Sequence, residues 1–195
     1  EVMLTKPLRV SSQTLCYEHQ SPLIFTGGNE YRRMEITSVT YPGMHVEEMF
    51  YSAPYYHQRL ETDKLRSLSQ YLYDQTQFGR FTIREYNSSQ SDIEADYVIT
   101  HFALDLPEQF ECGIYLDGDF THRRFDEQSQ MVYNRETGQY EKTLLLKQGA
   151  YNYQYLVVPY GTMRGSTAPV EGNFYETVNE YLVKVYYHRP GSRYD

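Results

Sequence analysis

Tryptophan is absent from this 195-residue sequence, cysteine occurs only twice, and no apolar run approaches the roughly 20 residues that a bilayer-spanning helix needs. Each shortage excludes something. Without Trp the commonest platform for stacking a sugar ring is gone. Cys16 and Cys112 lie far apart and fit no metal-ligand spacing, so two buried thiols are favoured over one long-range bridge, which would need an oxidising compartment. Positive charge is also short. Lys and Arg number 18 against 26 Asp and Glu, a net −8 that repels phosphate backbones and sets nucleic acid aside. The pairs Arg32-Arg33 and Arg123-Arg124 read as solvated strand edges or caps rather than a basic patch. Glu1-Val2-Met3-Leu4 carries neither the basic nor the apolar region of a signal peptide, so the sequence reads as a soluble piece whose compartment stays open.

The motifs of catalysis are missing too. There is no Gly-x-Ser-x-Gly elbow and no Ser-x-x-Lys pair, and Cys16 near His19 has nothing to orient the imidazole; a core cysteine and a surface histidine result. Histidines at 19, 45, 57, 101, 122 and 188 never fall at His-Glu-x-x-His spacing. Asp117-Gly118-Asp119, with Asp126 and Glu127 following, does not meet the order of a calcium loop and reads as a β-turn. Gly27-Gly28-Asn29-Glu30 lacks the Lys-Ser/Thr of a phosphate cradle and reads as a turn as well. No Asp/Glu pair is singled out for glycoside hydrolysis. The expectation is a protein with no catalytic residue, cofactor or metal site, and with no small-molecule ligand.

What the sequence does hold is tyrosine, 22 of them, within a hydrophobic fraction of 40%. An apolar ring with a wet tip suits half-buried strands. Met34 to Val39 alternates up to the Tyr41-Pro42-Gly43 turn, and His45 to Tyr51, closed by Pro54, is its expected hairpin partner. Within Thr62 to Asp74, Leu65, Leu68 and Leu72 fall at helical spacing. A hairpin is favoured there instead, turning over Asp74 to Gly79 and returning through Arg80 to Arg84. Tyr97 to Leu104 is apolar on both faces, Cys112 to Leu116 is a strand, and Tyr140 to Lys147 is another, broken by Gln148-Gly149. Ala150 to Val158 is the clearest period-2 segment, with Tyr151, Tyr153, Tyr155 and Val157 on one face. Pro159 to Gly172 has the composition of a long exposed loop, and Tyr181 to Tyr187 is expected to finish the sheet. This spacing predicts an all-β protein of two β-sandwich-like domains, residues 1–98 and 99–195, the second immunoglobulin-like.

Several of these segments, taken together, resemble the type IX secretion system plug protein family: Ser21 to Arg33, Glu94-Ala95-Asp96-Tyr97-Val98, Leu145 to Tyr155, and Glu171 to Tyr181 continuing through Gly191-Ser192-Arg193-Tyr194-Asp195. Four ordered blocks agree and the resemblance covers nearly the whole sequence. The family also has an N-terminal β-domain without counterpart in these residues. The resemblance implies a periplasmic protein, associated with the outer membrane but not spanning it, that binds the periplasmic opening of a large outer-membrane translocation pore and keeps it closed. Its action would be steric. Tyr160, Met163 and Arg164, residue types enriched at interfaces and placed in the Pro159 to Gly172 loop, are the candidate contacts.

A second similarity bears on the fold: Tyr115 to Phe120, Met131 and Tyr140 to Tyr155 look like the early-set sandwich modules of starch- and glycogen-active proteins. Those bind sugar on Trp, whereas here His122-Arg123-Arg124 follow Phe120. A glucan-binding module using tyrosines is therefore the alternative function.

Overall fold

The computed structural model describes residues 2–109 and 111–187; His188 and the block Gly191 to Asp195 lie outside the described residues. In chain order the strands are β1 (Arg9–Val10), β2 (Leu15–Cys16), β3 (Arg32–Glu35), β4 (Val46–Ser52), β5 (Tyr55–Leu60), β6 (Asp63–Lys64), β7 (Phe81–Ile83), β8 (Tyr97–Asp105), β9 (Cys112–Asp117), β10 (Val132–Asn134), β11 (Gln139–Lys147) and β12 (Gly149–Pro159). Two single-turn helices, α1 (Ser91–Glu94) and α2 (Ala168–Glu171), and two 3-10 turns, Ser21–Leu23 and Asp119–Thr121, are the helical elements among the described residues, so the all-β expectation holds. Among the described residues no helix is long and apolar enough to cross a membrane.

β1 and β2 form a small sheet of their own, and the other ten strands form a sandwich. One sheet runs β10-β11-β8-β5-β4 with β6 also against β8; the other runs β3-β12-β7 with β9 also against β12. The inward residues of both close a single core containing Met34 of β3 and Ile36 just after it, Leu60 of β5, Phe102 and Leu104 of β8, Ile114 and Leu116 of β9, and Tyr151, Tyr153 and Tyr155 of β12. Aromatic rings bridge the layers: Phe102 meets the edge of Tyr153 at 5.4 Å between centroids, and Phe120 meets Tyr151 at 5.5 Å. Such edge-to-face pairs add about 0.5–1.5 kcal/mol each beyond the area they bury.

The alternation in β12 is as expected, since Tyr151, Tyr153 and Tyr155 are all buried. The break at Gln148-Gly149 is where the chain leaves one sheet for the other, β11 pairing with β8 and β12 with β3, β7 and β9. A side chain at Gly149 would lie 2.4 Å from the carbonyl oxygen of Thr82, so only glycine lets β7 approach. Residues 27–30, expected as a turn, are irregular backbone, although Gly28 does take a positive φ of +68°.

Other expectations fail on pairing. The sheets do not divide at residue 98, because each takes strands from both sides of it: β5 pairs with β8, and β3 and β7 with β12. Residues 46–52 pair with 55–60 across the Ala53-Pro54 turn rather than with 34–39, and β3 pairs instead with the tyrosine strand β12. The stretch Thr62 to Asp74 forms neither helix nor hairpin. Its backbone donors at Arg66 and Ser67 go to the carbonyl of Val170 instead of to a helical turn, leaving Leu68 and Leu72 exposed. Tyr181 to Tyr187 joins no sheet and is exposed throughout. Neither cysteine is fully buried; both are half-buried and free.

Truncating the ring that joins the layers tests this packing. Phe102→Ala is expected to lower unfolding free energy by about 3–5 kcal/mol in urea denaturation; a loss under about 1 kcal/mol would mean that Phe102 does not hold the sheets together.

Candidate functional site

The period-2 phase of β3 puts Arg32, Met34 and Ile36 on the same inward face, so a guanidinium enters the core with the apolar residues. A buried charge persists only if paired and hydrogen-bonded. Arg32 donates from one terminal nitrogen to Asp63 Oδ1 at 2.6 Å, from Nε to Glu171 Oε1 at 3.1 Å, and from the other terminal nitrogen to the carbonyl of Lys64 at 2.7 Å. The ring of Tyr155 lies 5.2 Å from its central carbon. Asp63 accepts in turn from the hydroxyls of Tyr153 at 2.8 Å and Tyr155 at 2.7 Å. Glu171 accepts from Arg66 Nε at 2.8 Å and from the backbone of Tyr155 at 2.9 Å. The two carboxylates face two guanidiniums, and their side chains are 5% and 1% exposed, well below the range in which ion pairs are screened away.

The titrations follow from this geometry. Burial works against the Arg32 cation, but Glu171 and Asp63 outweigh it and hold the guanidinium charged. Burial pushes the Asp63 carboxyl up, while His45, Arg32 and Tyr155 more than reverse that, leaving it below the usual carboxylate range. Burial and then Asp63 raise the Tyr153 and Tyr155 hydroxyls well above normal, so they remain donors. At the margin, His45 Nε2 lies 3.2 Å from Asp63 Oδ1, off the line of a hydrogen bond, and Nδ1 lies 3.3 Å from Glu61. Burial lowers its imidazole, but Asp63 and Glu61 win and the net shift is upward.

The cluster does no evident chemistry: every group is engaged by another. What it does is position. Glu171 ends α2 at the far end of the Pro159 to Gly172 loop, which is exposed from Tyr160 to Ser166 and buried at Val170 and Glu171. At the near end, the backbone N–H of Tyr160 donates to Glu111 at 3.0 Å, and Val157 and Ser166 exchange two backbone bonds of 2.9 Å. The three expected contact residues thus stand together on a projection fixed at both ends, with Tyr160 62% and Met163 83% exposed and Arg164 exposed beside them.

Other residues named from sequence are occupied elsewhere. Arg32 is not a solvated edge, and Arg33 pairs with Asp74 at 2.8 Å. Arg123 bridges Asp119 at 2.8 Å and the Tyr31 hydroxyl at 3.0 Å. Asp117 accepts from Gln154 at 2.7 Å, so Asp117-Gly118-Asp119 serves as a turn between protein partners. Among the described residues no three His, Cys, Asp or Glu side chains come together as metal ligands would. Sequence reasoning missed Asp63, Glu171 and Arg66. The one available signal was Arg32 itself, a charge at a buried phase of an alternating strand.

No protein-family model matches the chain, and no curated protein matches it. A solved structure does: a hypothetical protein from Parabacteroides merdae, 48% identical, superposes with a TM-score of 0.86 over 88% of this chain and 43% of that one. The chain therefore spans less than half the length of that relative.

The upward shift of His45 gives a pH test. Its contribution to stability is present below about pH 6.5, the ordinary imidazole value, and is lost as pH rises through the raised folded-state value. In His45→Gln the decline in unfolding free energy between pH 6.5 and 8.5, followed by urea denaturation, is expected to flatten. An unchanged slope would rule out this coupling to Asp63.

Proposed function

We propose that this chain is a non-catalytic protein-binding component of the type IX secretion system, acting in the periplasm as a steric plug of the outer-membrane translocation pore. Four ordered sequence blocks that resemble the plug family support this reading. The observation that carries it is the loop of Tyr160, Met163 and Arg164: interface-type side chains exposed together, on a backbone pinned to β12 at one end and to the buried charge cluster at the other. A steric plug needs both a body that does not deform and a surface that holds it in place. A pinned loop binds without a large ordering cost, because its side chains are presented already placed.

The glucan-binding alternative draws on a different surface. The β4–β5 hairpin exposes Phe50, Tyr51, Tyr55 and Tyr56, beside a shallow groove of about 320 Å³ lined by Phe50, Arg59, His101 and Glu141. Aromatic faces beside polar groups suit a sugar.

A pull-down from detergent-solubilised outer membranes of a type IX-secreting bacterium separates the two. The plug reading expects this chain to capture the translocation pore, identified by mass spectrometry. A folded Tyr160→Ser, Met163→Ser, Arg164→Glu triple variant should capture at least tenfold less. No pore in the wild-type eluate, together with a saturable change of tyrosine fluorescence on adding a soluble glucan, would replace the plug with the glycan module.

A further inference from the structure

Across the outer face of the larger sheet runs a row of side chains from four adjacent strands: Phe50 of β4, His57 of β5, His101 of β8 and Thr143 of β11. Phe50 stacks on His57 at 4.9 Å between centroids, and His57 and His101 are nearly coplanar, 16° apart. His57 Nδ1 lies 2.9 Å from His101 Nε2, and His101 Nδ1 lies 3.1 Å from Thr143 Oγ1. The histidine centroids are 5.2 Å apart, which the 2.9 Å contact and the two ring radii account for, so the nitrogens point straight at each other. That is the geometry of an N–H donating to a bare imidazole nitrogen. One proton fits between the rings and two do not.

The inner face of the same seam is weak. Gln58 of β5 and Thr100 of β8 are register partners, both fully buried, and Gln58 Oε1 and Thr100 Oγ1 find no hydrogen-bond partner in the protein. Unsatisfied polar groups of this kind cost about 1–3 kcal/mol each. Beyond the seam, among the described residues β4 pairs with β5 alone, so the backbone pairing of the hairpin to the rest of its sheet runs through the β5–β8 junction, while Val46 and Leu60 anchor it in the core.

We propose that the β4–β5 hairpin is a pH-releasable flap, latched to β8 by the proton shared between His57 and His101 and freed when acid protonates both facing nitrogens. The second proton turns an attraction into a contact of two N–H groups and two cations, at a junction already burdened inside. The charged groups around the pair are Arg59 of β5, which is itself paired with Glu48 and near Glu47 of β4, and Glu141 of β11, which accepts from Asn134 and Thr137. Burial, then His57 and Arg59, lower the His101 imidazole, with Glu141 opposing. A depressed base stabilises the fold above its ordinary value of about 6.5 and loses that contribution as pH falls. Release therefore belongs below about pH 6.5.

Hydrogen exchange tests the latch. Amide protection in residues 46–60, corrected for intrinsic exchange, is expected to fall at least tenfold between pH 7.5 and 5.0 relative to β11 and β12. His101→Phe keeps a ring on the stack and removes the proton, so its hairpin should show no such pH dependence. If that variant does not fold, nitrogen NMR of the wild-type His101 imidazole decides: it should titrate below the ordinary imidazole value, in step with the loss of hairpin protection. Constant protection in the wild type, an undiminished fall in His101→Phe, or a His101 titration at or above the ordinary value would each overturn the proposal.

Discussion

A guanidinium that β3 carries into the core cannot be left alone, and much of this structure is arranged around meeting that demand. Arg32 takes a carboxylate from β6, 31 residues on, and another from α2, 139 residues on. Each of those carboxylates is claimed a second time, by the hydroxyls of Tyr153 and Tyr155 and by Arg66. A buried ion cluster is weak evidence for stability, because dehydrating the charges offsets most of their attraction, and apolar residues of similar volume often do as well. Its effect here is positional: through Asp63 and Glu171, Arg32 ties β3 to β6 and to α2. Glu171 must reach Arg32, and in doing so it fixes the end of the loop that carries Tyr160, Met163 and Arg164.

The larger sheet shows the opposite principle. At its inner edge His45 gains charge by approaching Asp63, while on its outer face His101 is held neutral by burial and by His57. The first contribution fades as pH rises above the ordinary imidazole value and the second as it falls below. The hairpin is joined to β8 by a backbone ladder over Tyr56 to Arg59 as well as by the proposed shared proton.

Much of the fold could be read from alternation, and the reason is local. β8, β11 and β12 each carry eight or more consecutive residues of strand, long enough for a period-2 pattern to stand clear of chance. Pairing could not be read, because nothing in residues 34–39 announces that β12, more than a hundred positions later, will compete for them. Tyr181 to Tyr187 fails for a related reason: a strong β-forming composition does not say whether another strand will pair with it. The loop of Tyr160, Met163 and Arg164 was legible from its glycines and prolines as an exposed segment. That its last turn, Ala168–Glu171, is an anchor was not, since Glu171 acquires its role only from Arg32 and Arg66.

The claim that one charge cluster organises the molecule is tested most directly by a double-mutant cycle on Arg32→Met and Glu171→Gln, read by urea denaturation. Each single change removes one opposite charge from its partner, leaving Glu171 with Arg66 or Arg32 with Asp63, so the two losses should not add and the coupling energy should exceed about 1.5 kcal/mol. Additivity to within about 0.5 kcal/mol would contradict the account, since the two residues would then contribute to the fold independently.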